Sequence, residues 1–207
     1  SYDRALEIYA DRFADASDFS FYFIGNLDED SIRTMACQYL ANLPVVKRND
    51  KEIESGRDMK PGTRKNIFRQ KQEQPQCYAL VAAFTKSKNN ARERAIASIL
   101  GQALDMRYLE TIREEMSAAY SVQASAGLNR AHIKEYHSLL QIMLPVKPAL
   151  CDSALVVVDQ ILADVAENGV ADKYLDKIKE YELKNIDEAE RLNGSWLSWF
   201  RTYIEEG

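Results

Sequence analysis

Apolar residues recur at three- and four-residue steps through Ala95, Ile96, Ile99, Leu100, Ala103, Leu104, Tyr108, Leu109, Ile112 and Met116, which predicts a long amphipathic helix over residues 88–116. Gly101 stands in its middle, where glycine weakens a helix by roughly 1 kcal/mol relative to alanine, so a break or kink is expected there. Before it, Leu6, Ala10 and Phe13 share one side of a short helix over residues 2–13, followed by a polar turn at 14–18. Phe19-Ser20-Phe21-Tyr22-Phe23-Ile24 is an unbroken run of strand formers bounded by Gly25-Asn26, the pattern of a buried strand. Asp28 can cap the next helix, whose apolar positions Ile32, Met35, Ala36, Tyr39, Leu40 and Leu43 keep the helical period until Pro44.

Further strands are expected at residues 66–71 and 76–85, joined by the polar segment 72–75, and at 119–125 and 135–144 around a turn at 127–130. Pro145 and Pro148 end the last of these. A helix over 149–167 closes at Asn168-Gly169, and another over 172–203 is interrupted at Asn193-Gly194. The order of strands, helix, paired strands and two helices points to an α+β fold, a mainly antiparallel sheet with helices packed on one face. Residues 47–66 are almost wholly charged or polar, with Gly56, Pro61 and Gly62 among them, and form a polar linker or exposed excursion.

Composition narrows the function classes. At 207 residues and 46% hydrophobic, the chain can bury a sizeable core. A net charge of −5 argues against nucleic acid or an anionic membrane surface as the main partner, since both require a basic face. No apolar run approaches the roughly 20 residues of a membrane span, and the N-terminus lacks the apolar core of a signal peptide. Cys37, Cys77 and Cys151 are odd in number and far apart, so buried reduced thiols are the default expectation. An opening serine followed directly by a helix, and an end at Ile204-Glu205-Glu206-Gly207 without a stop signal, read as those of a piece cut from a longer protein.

Candidate chemistry concentrates at Ile112-Arg113-Glu114-Glu115-Met116-Ser117-Ala118-Ala119-Tyr120-Ser121-Val122, where the long helix runs into a strand. Arg113 and Tyr120 across that corner can point donors at one carbonyl oxygen: the guanidinium stays charged at any working pH, and the phenol is a neutral donor. The bland alternative pairs Arg113 with Glu110 or Glu114 and half-buries Tyr120 in the sheet. Glu114 and Glu115, about 100° apart on a helix, do not form a carboxylate pair. Ser117 and Ser121 have no histidine nearby in sequence to serve as base. Trp196, Trp199, Phe200 and Tyr203 recur at helical steps and are expected to pack as a core face.

The same corner resembles one in the non-catalytic half of the inverzincin zinc metallopeptidases, the pitrilysin, insulysin and mitochondrial processing peptidase group, whose pattern reads L-x-x-x-I-R-E-x-x-G-x-A-Y-S-V. This chain departs from it where Ser117 or Ala118 stands for glycine, which leaves the helix termination open. Residues 19–44 and 104–122 carry the likeness most clearly, with looser agreement to about residue 200. The inverzincin metal signature, His-x-x-Glu-His on a helix, is not present. His132-Ile133-Lys134-Glu135-Tyr136-His137 has one residue too many, and histidines five apart on a helix diverge by about 140°.

The resemblance implies a substrate-enclosing, non-catalytic segment of a zinc endopeptidase. Arg113 and Tyr120 would bind the substrate carbonyl, the zinc would sit elsewhere in the parent, and this segment would bind none and be inactive alone. Its implied partners are a peptide or unfolded protein and the catalytic domain of the same chain or a partner subunit. The compartment is left open, with a bacterial periplasm as the candidate. By the same comparison residues 1–46 close one repeat, 47–66 link, and 67–207 begin the next, whose missing edge strand residues 19–24 would fill, within the chain or from a second copy. Two rivals remain: an inactive scaffold or assembly subunit of the same fold, and a free-standing peptide-binding module.

Overall fold

Amphipathic periodicity and local capping build most of the helices. The computed structural model describes residues 1–48, 60–71, 73, 75–119, 121–132 and 135–206. In chain order these form α1 (Tyr2–Arg12), α2 (Glu29–Met35), β1 (Cys77–Ser87), α3 (Ala91–Tyr108), β2 (Gln123–His132), β3 (Glu135–Val146), α4 (Cys151–Asn168), α5 (Asp172–Ala189) and α6 (Asn193–Glu206). π turns extend α2 over the five residues Ala36–Leu40 and α3 over the seven residues Leu109–Glu115. Asp28 caps α2 as expected, its carboxylate accepting from the Ser31 amide at 2.8 Å. Gly169 ends α4 at φ 78°, and its amide donates to the Val165 carbonyl.

The chain divides into two units, Ser1–Ile53 with Leu183–Gly207, and Glu54–Glu182. Most of the polar stretch 47–66 lies outside the described residues.

The second unit holds a three-stranded antiparallel sheet in the order β1-β3-β2. Cys77 pairs with Val146 and Ser87 with Tyr136 along β1 and β3, while Gln123 pairs with Met143 and His132 with Glu135 along β2 and β3. One face of this sheet is apolar: Cys77, Ala79 and Val81 lie opposite Val146, Leu144 and Ile142, with Ala124 beside Ile142. Leu104, Tyr108 and Ile112 from α3 and its π turn, and Ala154, Val158 and Ile161 from α4, close over that face. The buried Tyr108 hydroxyl donates to the Val158 carbonyl at 3.3 Å, so the largest core side chain keeps a polar partner. A smaller cluster of Ala103, Tyr174 and Ile178 joins α3 to α5. This is the α+β arrangement the pattern predicts, with helices on one face of an antiparallel sheet.

Gly101 does not break α3. It lies under β2, and a β-carbon there would stand 2.4 Å from the Ala126 nitrogen, so this glycine serves close packing of helix on strand. The expected turn at 127–130 is also corrected, because Gly127, Asn129 and Arg130 belong to β2 and pair with β3. The hairpin instead connects His132 to Glu135, and the pairing register shifts between Arg130 and His132. Residues 66–71 form no strand.

In the first unit, residues 19–24 are likewise not a strand and pair with nothing as a ladder among the described residues, so they do not serve as a replacement edge strand within this chain. Their aromatics pack locally, Phe19 edge-on to Phe13 at 5.6 Å between ring centroids and Phe21 beside Phe19. The α6 stripe is not a buried core face either. Trp196, Trp199 and Phe200 pack ring on ring but stay 41–45% exposed, and Trp196 Nε1 donates to the Glu190 carbonyl at 2.8 Å. The helix break falls at Glu190–Leu192, just before Asn193.

Asp15 organises this unit. It is 6% exposed and accepts from the backbone amides of Ser17, Val46 and Arg48 at 3.1, 3.0 and 2.6 Å. The Arg48 amide, foremost among these, holds its carboxyl far below the usual carboxylate range.

Candidate functional site at the helix-to-strand corner

The corner is set by α3, whose apolar side fixes Tyr108 and Ile112 fully inside the core. Beyond Tyr108 the backbone widens into the π turn Leu109–Glu115, and the Met116 amide reaches the Thr111 carbonyl, five residues back, at 3.1 Å. One consequence is immediate: Ile112 is buried and Arg113, the next residue, is exposed. Ser117 then turns the chain at φ 51°, in the left-handed region, and the Ala118 amide closes on the Ile112 carbonyl at 3.1 Å. The departure from glycine at this point therefore does not prevent the turn; serine adopts the glycine-type conformation.

The end of β3 braces the corner from the other side. The Lys147 amide donates to the Ala118 carbonyl at 3.1 Å, its ammonium donates to the Ser117 carbonyl at 3.1 Å, and Ala119 bridges to Val146. Nothing in hydrophobic periodicity signals Lys147, since its role is a contact 30 residues distant in sequence.

Arg113 makes no side-chain hydrogen bond or ion pair among the described residues. One of the two acids expected to neutralise it is engaged elsewhere: Glu110 accepts from the Tyr174 hydroxyl and from Lys173 Nζ at 3.0 Å. Those bonds, Tyr174 first and Lys173 second, hold the Glu110 carboxyl below its ordinary range. Glu114 and Glu115 are exposed. Tyr120 lies outside the described residues, so of the pair it is Arg113 whose place is fixed.

The histidines sit on a hairpin and not on a helix, His132 ending β2 and His137 near the start of β3. His137 is buried, its Nε2 lies 2.8 Å from Glu135 Oε1, and its ring stacks on Phe84 at 5.6 Å. Among the described residues no group of three or more His, Cys, Asp or Glu side chains is placed to hold a metal ion. The described residues do not offer the donor set of a zinc centre. Nor is any described helix long and apolar enough to cross a membrane.

Comparison with known proteins gives this corner a context. The chain is 23% identical over 188 residues to the probable zinc protease PqqL of Escherichia coli K12, a match covering 88% of this chain and 19% of that protein. The crystal structure of the periplasmic protease PqqL from Escherichia coli aligns with a TM-score of 0.57 at 19% identity, over 88% of this chain and 20% of that one. The likeness in structure concerns the fold, and the chain spans about a fifth of the length of the relative it matches. The family described as the peptidase M16 inactive domain matches residues 1–181. A match of that extent places this chain in the M16 peptidase inactive-domain family.

Proposed function

We propose that this chain is the substrate-enclosing part of a zinc-dependent endopeptidase, and that Arg113 binds a backbone carbonyl of the peptide with Tyr120 as second donor. The observation that carries this reading is an exposed guanidinium without a side-chain partner among the described residues, on a corner braced from two sides. A cation whose nearby acid is held by other groups is available to an incoming acceptor, and a rigid support lowers the reorganisation needed to use it. The zinc and its activated water belong, in this reading, to another part of the parent, which in the relative named above is a periplasmic protein. Residues 1–46 would close one repeat of that parent and 67–207 open the next.

The test is zinc content and hydrolysis of an unstructured peptide by the full-length parent, wild type against Arg113→Ala and Tyr120→Phe. Loss of one oxyanion donor lowers turnover by about 10²–10³. The expected result is retained zinc with activity lowered at least tens-fold, and unchanged thermal stability for Arg113→Ala because the side chain is exposed. Full activity in both variants would refute the assignment. Neither zinc nor activity in the wild-type parent would instead support an inactive scaffold or assembly subunit.

A further inference from the structure

Cys77 opens β1 and Cys151 opens α4. Cys77 stands opposite Val146 at the end of β3, and the short Pro148–Leu150 turn brings the start of α4 back beside it. The two half-buried sulfurs are 2.9 Å apart although 74 positions separate them in sequence. That is within about 1 Å of the ~2.05 Å disulfide bond. Cys37, the remaining thiol, is exposed and belongs to the other unit.

We propose that Cys77 and Cys151 form a paired-thiol site that closes to an intramolecular disulfide on reaction with an external low-molecular-weight disulfide. The link would tie the start of the edge strand to the first turn of α4, closing a loop that contains β1, α3, the Arg113 corner, β2 and β3.

The chemistry balances. Cys77, as thiolate, attacks one sulfur of the external disulfide, forms a mixed disulfide and releases one thiol. Cys151 gives its proton to solvent and attacks Cys77 Sγ, and the second external thiolate leaves and is protonated. Two protein thiols are oxidised and one external disulfide is reduced to two thiols. Contact with Cys77 and then burial push the Cys151 thiol up to about 11.

The test equilibrates the whole chain in buffers of oxidised and reduced glutathione, with free thiols then alkylated and the peptides mapped by mass spectrometry. Under oxidising buffers the native protein should keep one alkylatable thiol, Cys37, and become about 2 Da lighter, with the Cys77 and Cys151 peptides joined. Cys37→Ser should give the same link and keep no alkylatable thiol. The yield of this link in native buffer should exceed that in urea by roughly tenfold or more, because only the fold sets the two sulfurs together. Persistence of three free thiols, a link through Cys37, or equal yields in native buffer and urea would overturn the proposal.

Discussion

Gly101 of α3 and Ala126 of β2 approach so closely that a β-carbon on the glycine would lie 2.4 Å from the Ala126 nitrogen and 3.1 Å from the Ser125 carbonyl carbon. The obstacle is backbone, which cannot swing aside as a flexible side chain can. Gly101→Ala should therefore destabilise the protein by about 1–2 kcal/mol, although alanine is favoured in an isolated helix by roughly 1 kcal/mol. A lower urea midpoint at unchanged m-value is the expected observation. A higher midpoint would mean that helix propensity outweighs the close approach.

Ser117 offers the opposite case. Its φ of 51° is one that L side chains adopt at a cost of about 1–2 kcal/mol, and glycine adopts freely. Part of that gain is cancelled because glycine also frees the unfolded chain. Ser117→Gly should thus stabilise by about 0.5–1 kcal/mol in chemical denaturation, and Ser117→Val should destabilise.

Glu110 gives a pH signature. Its folded carboxyl titrates below the ordinary 4.5 because Tyr174 and then Lys173 donate to the ionised form. A depressed folded value means that the contribution is complete above the unfolded value and is lost as pH falls through the folded one. Glu110→Gln should be less stable than wild type at neutral pH, with the difference shrinking as pH drops below about 4.5. Thermal melts of both proteins across pH 3–7, a range chosen to bracket that value, check this. A difference independent of pH would show that the carboxylate charge is immaterial.

Asp15 should matter most to its own unit. Asp15→Asn replaces an acceptor of three backbone amides with a neutral amide that accepts more weakly. Faster hydrogen exchange at the Ser17, Val46 and Arg48 amides is expected, with the exchange of β3 unchanged. Unaltered exchange at all three would assign the stability of this loop to other contacts.

What could be read from sequence was what is encoded locally. The α3 stripe, the Asp28 cap and the Gly169 stop each depend on residues within a turn or two of one another, and each is found where the pattern places it. Strands were legible only where the partner strand agreed. Residues 19–24 have the composition of a buried strand yet none of the pairing, since composition cannot supply a neighbour. Conversely Gly127, Asn129 and Arg130 resemble a turn but are held extended by their register with Leu139, His137 and Tyr136. At the corner, Arg113 was visible, while the π turn and the Lys147 brace were not, because neither follows the 3.6-residue period that reveals a helix.

The Lys147 brace also ties the position of the arginine to an alignment between strands. Since Ala118 and Ala119 are held by Lys147 and Val146, the corner moves with the end of β3. A slip of β3 by a single residue would carry these anchors along the strand by about 3.3 Å and turn its core-facing side chains to the opposite face. Such a slip would expose Ile142, Leu144 and Val146, so the burial of this core opposes that displacement of the corner.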